Sequence, residues 1–72
     1  MLTRYQVISV KDRGCALFKF NKEAMMWQQV SKWYTRFSNL QRFVLYPLHI
    51  VVRTDQFYEH KGVYHFRCVD LS

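Results

Sequence analysis

Histidines and their charged neighbours are the residues of this chain that could carry out acid–base chemistry. Glu59 and His60 are adjacent, and His65 and Arg67 follow a few residues later. Imidazole can exchange a proton with the 2′-hydroxyl of RNA and a guanidinium can stabilise a phosphate, as a metal-free ribonuclease requires. These chemical groups are present, but their spacing in the sequence is not typical of a catalytic motif. We therefore expect a binding protein and no enzyme, and a small metal-free ribonuclease is only the third hypothesis.

Metal and cofactor sites are not indicated by the sequence. It contains no H-E-x-x-H pair, no zinc-type spacing of cysteines and histidines, and no glycine-rich phosphate loop. Cys15 and Cys68 are the only cysteines, and both lie in apolar strand patterns. This favours reduced, buried thiols in a cytoplasmic protein over a cross-link between the two flanking strands. We expect no cofactor and no metal.

The charge of the chain is strongly positive. Lys and Arg number 11 against 5 Asp and Glu, a formal net charge of +6 over 72 residues, and 18% of the residues are aromatic. The aromatic content argues against intrinsic disorder and supplies the large side chains that a small core needs. The length predicts a single domain over residues 1–72. Cations release counterions from phosphates and rings stack on bases, so the composition also favours nucleic-acid binding.

Membrane and secretion segments are not predicted. Residues 1–20 mix charged and apolar side chains, unlike a signal peptide. The longest apolar run, residues 43–52, contains Pro47 and is about half as long as a membrane span. We expect no association with a membrane.

Strand patterns occur at both ends of the chain. Residues 2–10 and 15–20 are predicted to pair as a hairpin through the polar turn 11–14, which ends in a glycine. Residues 48–54 and 63–71 are predicted to be two further strands, joined by a polar loop over residues 55–62.

A helix is predicted between the two strand pairs. Asn21 can cap its first turn, and residues 22–38 contain neither glycine nor proline. The apolar side chains of this segment, Trp33 among them, fall within an arc of about 120° on a helix. Its basic side chains fall on another side: Lys22, Lys32 and Arg36. The prediction is an α+β fold of ββαββ order, with one amphipathic helix packed on a four-stranded, mostly antiparallel sheet.

Alternation along the strands predicts a basic open face of this sheet. Inward placement of Val7, Phe18, Phe20 and Phe66 turns basic side chains outward on every strand. The residues predicted on this face are Arg4, Lys19, Arg53 and Arg67, with His49 and His65. Ile8 has the same parity as Arg4, which argues for the opposite choice in the first strand or for a bulge. The simpler explanation is that cations only solvate the sheet and discourage edge pairing.

Two classes of function are consistent with these features. We favour a small nucleic-acid-binding protein, for DNA or RNA, whose predicted contacts are Arg4, Lys19, Lys22, Lys32, Arg36, Arg53, Lys61 and Arg67. The alternative is an inhibitor or regulator of a host protein, of the kind encoded by a phage or mobile element, that docks through arginines and exposed rings such as Trp27 and Tyr64. Its predicted contacts in and beside the 55–62 loop are Phe57, Tyr58, His60 and His65. An edge strand could also pair two copies, so the oligomeric state stays open.

Overall fold

The computed structural model describes residues 4–70, which form a five-stranded sheet and one short helical segment. The elements are β1 (Tyr5–Val10), β2 (Gly14–Asn21), β3 (Met26–Gln29), α1 (Phe37–Leu40), a π-helical turn that continues α1 (Gln41–Leu45), β4 (Ile50–His60) and β5 (Val63–Asp70). All strand pairs are antiparallel, and the order across the sheet is β3-β2-β1-β5-β4. The predicted α+β class is confirmed, but the four-strand count and the ββαββ order are wrong because a third strand precedes the helix.

The first hairpin forms as predicted. Val10 pairs with Gly14 across a three-residue turn, and the Arg13 amide donates to the Val10 carbonyl at 3.1 Å. Gly14 has a φ of +103°, a backbone conformation that lets this turn close and that residues with a side chain rarely adopt.

The predicted helix over residues 22–38 is wrong, because its first turn closes a hairpin. The Asn21 side-chain oxygen accepts hydrogen bonds from the amides of Glu23 and Ala24 at 3.0 and 3.1 Å, as a helix cap would. The chain then reverses through Met25, at a φ of +54°, and pairs Met26 with Asn21. Trp27 favours a strand after this turn, and the free edge of β2 offers the backbone hydrogen-bonding partners.

The helical segment lies later in the chain than predicted. Two of its apolar side chains are buried, since Leu40 is 0% exposed and Leu45 is 1% exposed. Five residues correspond to 140° on a regular α-helix, so both side chains reach the core more easily from a wider π-helical turn. The Tyr46 amide donates to the Gln41 carbonyl at 2.9 Å and completes that turn. No helix within residues 4–70 is long and apolar enough to cross a membrane.

The last two strands are joined by a tight turn in place of the predicted loop over residues 55–62. β4 continues to His60, and Lys61 and Gly62 form a two-residue turn with φ values of +52° and +79°. The Glu59 carboxylate accepts a hydrogen bond from the Gly62 amide at 2.8 Å. β4 also contains a bulge, since its register passes from Arg53 opposite Arg67 to Phe57 opposite Phe66. Residues 54–56 are therefore extra residues in β4.

The core lies between the helical segment and one face of the sheet. Its buried residues are Val7, Cys15, Leu17, Leu40, Leu45, Ile50 and Cys68. Both thiols are free, as predicted from the sequence. Burial raises the pKa of Cys15, and burial raises the pKa of Cys68 to about 12.

The raised pKa of Cys68 predicts a loss of stability in alkali. The unfolded thiol ionises near its ordinary pKa of 9.0 and the folded thiol near 12, so the unfolded state loses its proton first. The contribution of Cys68 is complete below pH 9 and falls as the pH rises towards 12. We expect the difference in unfolding free energy between the wild type and Cys68→Ala to shrink over this range, measured by urea denaturation. A difference that stays constant from pH 8 to 11 would contradict this role of Cys68.

Candidate functional site

The registers of the sheet decide which side chains share a face. Val7 pairs with Leu17 on one side and with Phe66 on the other, so these three side chains point towards the helical segment, on what we call the helix face. Neighbours along each strand point to the opposite, open face. Arg67 lies there, and so does Arg53, its cross-strand partner.

A groove of about 940 Å³ lies on the open face. The residues of its lining that carry a cation, an imidazole or an exposed ring are Arg4, Lys22, Trp27, Phe57, Tyr58, His65 and Arg67. Asp70 is the one carboxylate among the lining residues. The groove is thus predominantly basic and aromatic.

The β4 bulge holds the two arginines that face each other across β4 and β5. Arg67 Nη1 donates to the side-chain oxygen of Gln56 at 3.0 Å. Arg53 Nε lies 3.5 Å from a carboxylate oxygen of Asp55, in an exposed ion pair. Gln56 is neutral, so it orients the Arg67 guanidinium without neutralising it. Of the two, Arg67 is the cation better prepared to meet an anion from solution.

Arg4 and Trp27 are connected through one ring. The Arg4 guanidinium lies 4.6 Å above the centroid of the Phe20 ring, and the Phe20 and Trp27 rings meet edge to face at 5.4 Å. Stacking uses the face of a guanidinium and leaves its N–H edge available for hydrogen bonds. Trp27 is 36% exposed on the outermost strand β3.

Tyr58 and His65 form a parallel stack at the other end of the groove. Their ring centroids lie 4.5 Å apart, with 2° between the ring planes. Burial, and to a smaller extent the charge of His60, lowers the pKa of His65, which favours its neutral form. Within residues 4–70, the buried Nδ1 atom of His65 has no hydrogen-bond partner. Tyr58 is 54% exposed, so its outer face is accessible.

The predicted orientation of the second strand is wrong. Lys19 pairs with Tyr5 and lies on the helix face, whereas Phe18 and Phe20 lie on the open face. Cys15 and Leu17 occupy the core positions instead. Residues 15–18 are all apolar, so this segment has no alternation from which its inward side could be read.

The basic outer face of a helix does not exist, because residues 22–36 are not helical. Lys22 lies in the β2–β3 turn and reaches the groove. Lys32 lies in an irregular segment with Nζ 5.2 Å from the centroid of the Tyr34 ring, and Arg36 immediately precedes α1. Lys61 lies in the turn between β4 and β5. His49, predicted on the open face, lies in the turn before β4 with a φ of +57°.

The rings predicted in a loop belong to β4, and the bulge separates them. Phe57 is opposite Phe66 on the helix face, with ring centroids 5.3 Å apart, while Tyr58 is opposite His65 on the open face. Arg53 and Phe57 are four residues apart and would share a face in a regular strand, so the bulge has reversed the alternation. The predicted partner surface is therefore divided between two faces. His60 ends β4 opposite Val63, on the side of Tyr58.

Two residues of the site were not predicted. Gln56 orients Arg67, and Phe20 supports both Arg4 and Trp27. The Lys61-Gly62 dipeptide is a signal that could have revealed a two-residue hairpin and hence a longer β4. No comparable local signal identifies Phe20, because its position depends on the pairing of β3 with β2.

The chemical groups of a ribonuclease are not gathered in one place. His60, His65 and Arg67 share the open face, but Glu59 is opposite Tyr64 on the helix face and binds the Gly62 amide. Within residues 4–70, no group of three histidine, cysteine, aspartate or glutamate side chains is placed to hold a metal ion. Comparison of the chain with family models, with curated proteins and with solved structures gave no match.

Proposed function

We propose that this protein binds nucleic acid, without catalysis, through the groove on the open face of its sheet. The observation that supports the proposal is the gathering of Arg4, Lys22 and Arg67 from three separated parts of the chain along one groove that also exposes rings. Cations in this arrangement bind phosphates and release their counterions, and aromatic side chains bind bases. The charge of Arg67, which hydrogen-bonds a neutral amide, is available for such a contact.

The salt dependence of binding tests this proposal. Fluorescence anisotropy of a labelled 12-nucleotide oligonucleotide should show an affinity that falls linearly on a plot of log K against log salt. In Arg67→Ala, one phosphate contact is lost, so we expect the slope to decrease by about one unit.

Lys19→Ala is the matched control, because it removes the same charge from the helix face. It should leave the slope nearly unchanged. Absence of binding at low salt, or equal slopes for Arg67→Ala and the wild type, would contradict the proposed groove.

A protein-binding function is the second candidate, and one surface favours it. Phe57, Tyr64 and Phe66 form a ring cluster on the helix face, in which Phe57 is 52% and Tyr64 is 43% exposed. Exposed aromatic clusters are typical of protein interfaces. This candidate predicts that a stoichiometric protein partner, captured from a nuclease-treated extract, is lost in Tyr64→Ala, a change outside the groove, and retained in Arg67→Ala.

A further inference from the structure

We infer that the groove binds single-stranded nucleic acid, laid diagonally across the sheet with bases on Trp27 and Tyr58 and phosphates between them. This inference rests on the proposed function and specifies its ligand. It depends on where the pairing of the strands places the rings relative to the cations.

Trp27 and Tyr58 lie at opposite corners of the open face. Trp27 is on β3 and Tyr58 is on β4, the two edge strands. Four strand spacings separate them, about 19 Å at about 4.8 Å each. Trp27 pairs with Phe20, which lies beside Arg4 at the start of β1, whereas Tyr58 pairs with His65, which lies beside Ile8. The two rings are therefore offset by the distance from Arg4 to Ile8, about 13 Å along the strands. The diagonal of about 23 Å suits a segment on the order of four nucleotides.

Cations occupy the middle of this diagonal. Arg4 is two strands from Trp27, and Arg67 pairs with Gln6, which is two residues after Arg4. Beyond Arg67 the diagonal reaches His65, on which the Tyr58 ring is stacked. The order along the groove is thus ring, cation, cation, ring. This order matches a single strand whose two terminal bases stack on the protein rings and whose phosphates lie between them, next to the cations.

Each ring contacts a neighbouring ring and is partly exposed, Trp27 at 36% and Tyr58 at 54%. Trp27 leans on Phe20, and Tyr58 is stacked on His65, so each is held in place before a ligand arrives. The lowered pKa of His65 favours the neutral imidazole, so the support under Tyr58 does not itself bring a charge. Stacking requires the flat face of an unpaired base, which a duplex covers with neighbouring base pairs. The rings therefore favour a single strand, while the cations alone would accept either form.

The test compares one oligonucleotide as a single strand and as a duplex, in both DNA and RNA versions. At matched salt, we expect the single strand to bind at least about tenfold more tightly than the duplex. Trp27→Ala and Tyr58→Ala should each weaken single-strand binding by about tenfold and leave duplex binding unchanged. Trp27→Phe should retain most of the affinity, because it keeps a ring at the same position.

Tyr46→Ala is the matched control, since it removes a tyrosine that is 63% exposed outside the groove. Circular dichroism establishes that each variant is folded. Because Tyr58 is not on β3, Tyr58→Ala tests the inference even if the Trp27 variants disturb that strand. Equal affinity for strand and duplex, or unchanged binding in folded Trp27→Ala and Tyr58→Ala, would overturn the inference while leaving the basic groove in place. Absence of binding to every oligonucleotide at low salt would instead overturn the proposed function. The DNA and RNA versions show which sugar the groove accepts.

Discussion

Gly14→Ala is expected to destabilise the protein by about 3 kcal/mol or more. Gly14 has a φ of +103°, and a Cβ atom there would overlap the Tyr34 carbonyl oxygen and lie 2.9 Å from the Thr35 Cα atom. That carbonyl accepts a hydrogen bond from the Cys15 amide at 2.8 Å, and the Tyr34 amide returns one to Cys15 at 2.8 Å. The added methyl group would therefore force apart the backbone bridge between Cys15 of β2 and Tyr34 in the segment that leads to α1.

Gly62→Ala provides the matched control. Gly62 also has a positive φ, +79°, but nothing lies within 4 Å of an added Cβ atom. We expect a cost of about 1 kcal/mol, from the backbone conformation alone. Urea denaturation of both variants, followed by circular dichroism, measures the two costs. Equal destabilisation would show that the approach of Tyr34 to Gly14 is unimportant for stability.

The double variant Arg4→Glu/Arg67→Glu is expected to lose oligonucleotide affinity by about 100-fold or more. Each arginine is expected to make a charge-assisted hydrogen bond to phosphate, worth about 1.5–3 kcal/mol. Two lost contacts correspond to about 3 kcal/mol, and each 1.4 kcal/mol is a tenfold change in affinity. Fluorescence anisotropy at low salt measures the difference, and thermal unfolding shows whether the domain stays folded.

Lys19→Glu/Arg36→Glu changes the net charge by the same amount away from the groove. Lys19 lies on the helix face and Arg36 precedes α1, and neither lines the groove. The control is expected to lose much less affinity, because distant exposed charges are screened by salt. If both double variants lost affinity equally, binding would depend on net charge and not on the groove.

Much of the first hairpin could be predicted because its signals are local. The polar turn before Gly14 and the alternation of β1 specify the pairing over a few residues. Asn21 was predicted to cap a helix, and its side chain does accept two amide hydrogen bonds, but these close the β2–β3 turn. The residues after this cap form a strand and not the predicted helix. A helix and a hairpin turn can begin with the same hydrogen bonds, and only the free edge of β2 decides between them.

The positive charge of the candidate site could be predicted from the sequence, but the positions of its residues on the sheet could not. Arg4 and Arg67 were expected on one face and line one groove, whereas Lys19 lies on the opposite side of the sheet. Alternation has a period of two, so an error of one residue reverses every later side chain of the strand. The apolar run in β2 and the bulge in β4 are two places where the sequence left this choice open.

Composition and contacts between near neighbours are sufficient to specify the positive charge, the α+β class, the first hairpin and the burial of both thiols. They are not sufficient to place Trp27, Arg4, Arg67 and Tyr58 along one groove. That arrangement depends on β1 pairing with β5 and on residues 54–56 reversing the alternation of β4. The first joins strands near opposite ends of the chain, and the second is set by the register between β4 and β5, so neither can be read from one strand alone.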